Sequence, residues 1–365
     1  MKKTFTVLSM LSAVLILASS CKDDKKSNPA PNYTVPTTYN FTNADFSDAT
    51  TRLGMVTEMS NLMKTALTGP LDGQTLKNMF SNTSSPFTGA AAAYNTSGLQ
   101  LKDQTATLFQ TDASNFIDSL VKVSKTGTPA SRGVAGVGAS SASPASKYAL
   151  TATGVNYAQV FNKAIMGGLI TYQIVNNYMT AGISSSVDNT NVVAGKGTAM
   201  EHNWDLAFGY WGVPVDFPTN KTGAKLWGSY STQVDSGFKA NKTLIDAFLK
   251  GRAAISNKDN ATRDAQATII LQTFEKLTAA AALQEVKEVK ESISDNIARN
   301  SRLSECYGFV YSLKYNPKRK ISDAEIDKIL GLFPKNFYDL TLDQLNAIRD
   351  EIAGQYGFES VKDIL

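Results

Sequence analysis

Apolar positions along this chain recur mainly at steps of three and four, the spacing of one helix face. In "YAQVFNKAIMGGLITYQIVNNYMTAG" the stripe is Tyr157, Phe161, Ala164, Ile165, Gly168, Leu169, Tyr172, Val175 and Met179, which predicts one long buried or amphipathic helix. Gly167 and Gly168 inside it each cost roughly 1 kcal/mol of helix propensity, so they point to close approach of a neighbouring helix. A second stripe, Leu53, Val56, Met59, Met63 and Leu67, predicts a helix capped by Ser47 or Asp48, and "NFIDSLVKVSK" predicts a third.

The longest predicted helix covers about residues 258–298, which contain no proline or glycine. Two further starts are explicit. Ser322 with Glu325 forms a capping box flanked by the staple Ile321 and Ile326, and Thr341 with Gln344 repeats it with Leu340 and Leu345. Few segments compete for strand: the Gly/Ser/Ala-rich stretch from about 126 to 147 reads as a mobile inter-helix loop, and "NTNVVAG" is too short to found a sheet. The expected class is all-α, a helical bundle built as two packed helical lobes with a boundary near 220–260.

The first residues change the picture from fold to location. Lys2 and Lys3, an uncharged and largely apolar run from Thr4 to Ala18, and "LASSC" read as an export signal over 1–20 that ends at Cys21 as the lipidated first residue. The run is too short, and too soon followed by charge, to span a membrane. "KDDKK" after it looks like the acidic export tag of Bacteroidetes-type surface lipoproteins. Residues 21–38 then form a flexible tether, and 39–365 the helical domain. With Cys21 acylated, Cys306 has no partner for a disulfide, so the fold rests on its core. Without Lys2 and Lys3 the chain carries 34 basic and 32 acidic residues, a balance that argues against nucleic acid as a partner. The 42% of hydrophobic residues is enough for a large core.

Candidate chemistry centres on the chain's single histidine. No His-Glu-x-x-His, Gly-x-Ser-x-Gly or phosphate-cradling glycine loop is present. On a helix through 199–211, Glu201, His202 and Asp205 share one face, opposite Trp204, Ala207, Phe208 and Trp211. That helix is apolar nearly all round, hence buried, and its two acids need compensation by a histidinium, by Arg52 or Arg302, or by a metal cation. Glu305, set among Leu303, Tyr307, Phe309 and Val310, is the further acid expected to join them, with Arg302, from the "SRLSECYGF" helix. Glu58, Glu285 and Glu288 read as solvated faces. Trp204, Tyr210 and Trp211, with Trp227 and Tyr230, are the alternative: stacking platforms for a glycan.

The blocks "YNFTNADFSDATTRLGMVTEMSNLMK", "MEHNWDLAFGYWGVPVDFP" and "RLSECYGFVYSLKYNP" together resemble the Bacteroidetes lipoprotein family catalogued as domain of unknown function 4856. A weaker resemblance is to the imelysins, helical exported proteins with a Gly-x-His-x-x-Glu motif. His202 stands at the histidine, Asp205 at the glutamate and Met200 at the glycine. The resemblance implies a surface-exposed outer-membrane lipoprotein linked to iron or other metal acquisition, working with an outer-membrane transporter. His202 and Asp205 would then hold its metal, iron or zinc, and the buried-acid reading adds Glu201 and Glu305 to them. A glycan- or nutrient-binding lipoprotein and an imelysin-like metallopeptidase are the alternatives, and whether the chain is an enzyme stays open.

Overall fold

The computed structural model describes residues 32–365, in which Val35–Leu365 packs as one unit. The export signal and Cys21 lie outside the described residues. The domain begins a few residues before Tyr39: Val35 packs against the core, and Tyr39 is buried within it.

The fold is all-α. In chain order the helices are α1 (Ser47–Lys64), α2 (Gly73–Ser81) and α3 (Thr107–Ser124), a two-stranded hairpin of β1 (Gly136–Ala139) and β2 (Lys147–Leu150), then α4 (Tyr157–Ile165), α5 (Ala199–Trp211), α6 (Trp227–Gln233) and α7 (Asp235–Phe238). They are followed by α8 (Ala240–Ser256), α9 (Asn260–Glu291), α10 (Asn296–Ser312), α11 (Asp323–Gly331) and α12 (Leu342–Tyr356). The central member is α9, on which α6, α8, α10 and α12 all pack. Its Ala279–Ala282 run is fully buried, and such small side chains let neighbouring helices approach closely. The lobes expected on either side of 220–260 share one hydrophobic cluster.

Capping residues set many of the boundaries. The boxes at Ser322/Glu325 and Thr341/Gln344 start α11 and α12 as expected. A third box, Thr198/Glu201, starts α5. At α1 the expected cap is displaced: Phe46 holds the cap position, and the Asp45 side chain accepts the Ser47 N–H at 3.0 Å. The helix expected over 258–298 ends at Glu291, about 48 Å long at 1.5 Å per residue. It stops there because Asp295 caps a new helix, accepting the N–H groups of Ile297 and Ala298.

Two further expectations need correction. The stripe over 157–179 is α-helical only to Ile165 and continues in π-helical turns over Met166–Thr171 and Gln173–Tyr178. Its carbonyls are drawn outward, Gly168 O by Ala106 N–H at 2.8 Å and Met166 O by the Trp227 indole at 3.2 Å, which widens the helix. The two glycines do mark close approach, since a Cβ on Gly167 would collide with Ser312 of α10 and one on Gly168 with Phe109 of α3. The stretch expected to be a mobile loop instead carries the hairpin, with Gly136 opposite Leu150 and Ala139 opposite Lys147. Composition hid this strand pair because its order comes from docking. The second oxygen of Asp295 accepts the Ser140 hydroxyl at 2.6 Å and the Ala142 N–H at 3.2 Å, clamping the hairpin to the start of α10.

Because Asp295 serves both a cap and a clamp, Asp295→Ala should cost about 1–2 kcal/mol in chemical denaturation, the usual range for a lost cap. It should also open residues 140–146 to limited proteolysis. Cleavage there no faster than in the wild type would contradict the clamp.

Candidate functional site

The capping box that starts α5 orients Glu201: its carboxylate accepts the Thr198 N–H at 2.8 Å while its own N–H donates to the Thr198 hydroxyl at 3.2 Å. One turn on, Asp205 is wholly buried. Across from both stands α8, able to lie close because Gly251 has no side chain where the Trp204 indole passes. The next residue, Arg252, is 1% exposed and supplies the compensating charge. Its Nε donates to Asp205 at 2.8 Å, and its Nη1 donates to Glu201 at 2.7 Å and to the Ser256 hydroxyl at 2.6 Å. Ser256 in turn donates to Glu201 at 2.7 Å. The N-terminal segment closes the cluster. Tyr39 donates its phenol proton to Asp205 at 2.8 Å, its ring stacks on Phe208 at 3.7 Å, and Phe41 lies under the guanidinium at 5.1 Å.

Burial pushes the Asp205 carboxyl up to about 6, against the pull of Arg252. Burial also acts on Glu201, but the Thr198 N–H, the Ser256 hydroxyl and Arg252 outweigh it and hold that carboxyl below its ordinary value. Both acids are therefore ionised at neutral pH and answered by one arginine.

His202 is half-buried and outside this ion cluster. Burial and the nearby Lys196 lower its pKa, with Asp45 opposing. Glu305 belongs to a different cluster, where α4, α6, α9 and α10 meet. It pairs with Lys163 at 2.7 Å, and the ammonium lies 5.0 Å over the Tyr230 ring. Tyr230 donates to Glu285 at 3.1 Å. Glu285 is 2% exposed rather than solvated, and burial together with the charge of Glu305 pushes its carboxyl upward. Arg302 pairs with Glu288 on α9 instead of with the α5 acids. The structure thus does not bring Glu201, His202, Asp205 and Glu305 into one ligand set. Among the described residues, no group of three or more His, Cys, Asp or Glu is placed to hold a metal ion.

The aromatic alternative meets a plain obstacle. Trp204, Tyr210, Trp211 and Trp227 have no exposed surface. The indoles donate inward, Trp204 to Phe248 O at 3.0 Å and Trp211 to the Ser231 hydroxyl at 3.3 Å. They are core residues, unable to stack on a sugar.

Residues 36–359 match the family described as Domain of unknown function (DUF4856). The chain belongs to that family. No curated protein and no solved structure matches it.

Arg252, Tyr39, Ser256 and Lys163 are the site residues that sequence reasoning missed. A signal for Arg252 was available in "FLKGRAAIS", where it is followed by Ala253, Ala254 and Ile255, an apolar setting like the one that singled out Glu305, although Lys250 two residues earlier, which is exposed, competes with it. Arg52, one of the expected compensating arginines, instead donates its Nε to Gln100 O at 3.1 Å.

Removing the cation alone leaves buried Asp205 and half-buried Glu201 unanswered, so Arg252→Met should cost about 3–5 kcal/mol in chemical denaturation. A loss below about 1 kcal/mol would contradict the assignment. The histidine gives a separate expectation in pH. A pKa lowered on folding means the unfolded chain binds the His202 proton more readily, so stability falls as pH drops below about 6.5 through the folded value. Asp205 works the opposite way, its contribution rising as pH falls through about 6. Between pH 7 and pH 5 the stability change should therefore be more favourable in His202→Gln than in wild type. Equal changes in the two proteins would contradict it.

Proposed function

We propose that this chain is a lipid-anchored, cell-surface binding protein of the outer membrane that passes a small ligand to an outer-membrane transporter. Support for the anchor comes from the sequence: the charged start, the short apolar run and the small residues before Cys21. Several acyl chains on one cysteine hold a protein durably at a membrane.

The observation that carries the binding reading over a hydrolytic one is the ion cluster of α5. The acids expected to serve a metal are held by Arg252, and the chain's only histidine stands apart from them. This arrangement favours a rigid scaffold whose ligand is met at the surface. Iron or another metal as cargo rests on the likeness of Met200–Asp205 to the imelysin motif. Elemental analysis of protein purified without chelator or metal-affinity tag tests that part. A stoichiometric metal supports it, and a metal-free protein whose melting temperature is unchanged by added iron or zinc removes it.

Location is tested separately. Brief protease treatment of intact cells should remove the protein, and Cys21→Ala should release it from the membrane fraction. Survival under conditions that strip a known surface protein would defeat the outward placement, and unchanged fractionation of the variant would defeat the anchor.

A further inference from the structure

The C-terminal half of α9, α12 and the C-terminal segment line a cleft of about 340 Å³, near the lower end of the size range of ligand pockets. Its apolar lining includes Val286 and Leu345. Four cations line it: Lys287 and Lys290 from α9, Arg349 from α12 and Lys362 from the C-terminal segment. Two carboxylates, one of them Asp363 in the lining itself, answer two of these cations. Asp350 accepts from Arg349 at 2.9 Å and from Lys362 at 2.6 Å, and Asp363 accepts from Arg349 at 2.8 Å. Lys287 and Lys290 have no carboxylate within ion-pair distance among the described residues.

The spacing on α9 makes this pair of lysines a unit. Residues three apart lie on one helix face, so Lys287 and Lys290 stand side by side along the cleft. Lys290 is in the last turn, where the helix dipole favours a cation, but Lys287 lies a turn earlier and gains less from it. Like charges at this spacing repel, and nothing in the core requires either of them. A bound anion relieves that repulsion. Arg349 is already fixed by two carboxylates, which orders its guanidinium and leaves Lys287 and Lys290 unanswered. The amide of Asn346 adds a neutral hydrogen-bonding group to the lining.

We infer that the cleft between α9 and α12 binds a small, multiply charged oxyanion through Lys287 and Lys290, with Arg349 and Lys362 beside them. The ligand's carboxylate or phosphate oxygens take charge-assisted hydrogen bonds from the ammonium groups, and its carbon skeleton or bridging atoms lie on Val286 and Leu345. The inference deepens the reading of this chain as a binding protein, but it concerns a site whose test does not depend on where the protein is anchored.

The test is calorimetric titration of the full chain at low ionic strength with citrate and, separately, with pyrophosphate. Saturable binding near one equivalent is expected for at least one of them, weakened tenfold or more in the double variant Lys287→Gln/Lys290→Gln. Lys221 and Lys225, exposed and without an ion pair among the described residues, supply the charge-matched control, and Lys221→Gln/Lys225→Gln should bind like the wild type. Citrate alone identifies a polycarboxylate site and pyrophosphate alone a polyphosphate site. No saturable binding of either, or equal weakening in the control variant, overturns the inference. Thermal melts of both variants without ligand check that folding is kept. A melt within a few degrees of wild type is required of the Lys287/Lys290 variant, and if it falls short, Lys287→Gln alone must carry the loss of affinity.

Discussion

Two carboxylates one turn apart on an apolar helix cannot stay ionised without a cation, and here that cation is Arg252. Much of the architecture follows from delivering it. Gly251 lets α8 close onto Trp204, Ser256 one turn beyond Arg252 completes the hydrogen bonding of Glu201, and Tyr39 ties the N-terminal segment to Asp205. With α8 pinned to α5, α9 has a fixed surface to pack on, and α10 and α12 pack on α9 in turn.

The same logic recurs at two other places. Lys163 answers Glu305 where α4 meets α10, and Asp295 joins the hairpin to the α10 N-terminus. In these three places the buried charge is met by a protein group from a distant part of the chain, so these charges specify which elements meet. A core settled in this way has its acids already engaged, which turns attention to the surface, where the α9–α12 cleft carries the excess of positive charge.

What could be read in the sequence was what is encoded locally. The boxes at Ser322 and Thr341 and the stripes through α1 and α5 depend on residues within a turn or two, and the structure follows them. The burial of α5 and the need to compensate Glu201 and Asp205 were legible for the same reason. The partner was not, because Arg252 lies about fifty residues away and only packing selects it from several arginines. The hairpin at 136–150 was hidden because it depends on Asp295, far along the chain, and glycine-rich strands carry little pattern of their own. The overrun of α9 past Glu291 had a local remedy: aspartate before "NIA" is itself a cap signal.

The claim that Arg252 is the cation of the α5 cluster is tested most directly by a double-mutant cycle. The stabilities of wild type, Asp205→Ala, Arg252→Met and the double variant would be measured by chemical denaturation at pH 7. If the two groups hold each other, each single variant strands a buried charge and the double variant loses much less than the sum, with a coupling of about 2–3 kcal/mol. Losses that add to within about 0.5 kcal/mol would show that Asp205 is stabilised by something other than Arg252, and would contradict the account.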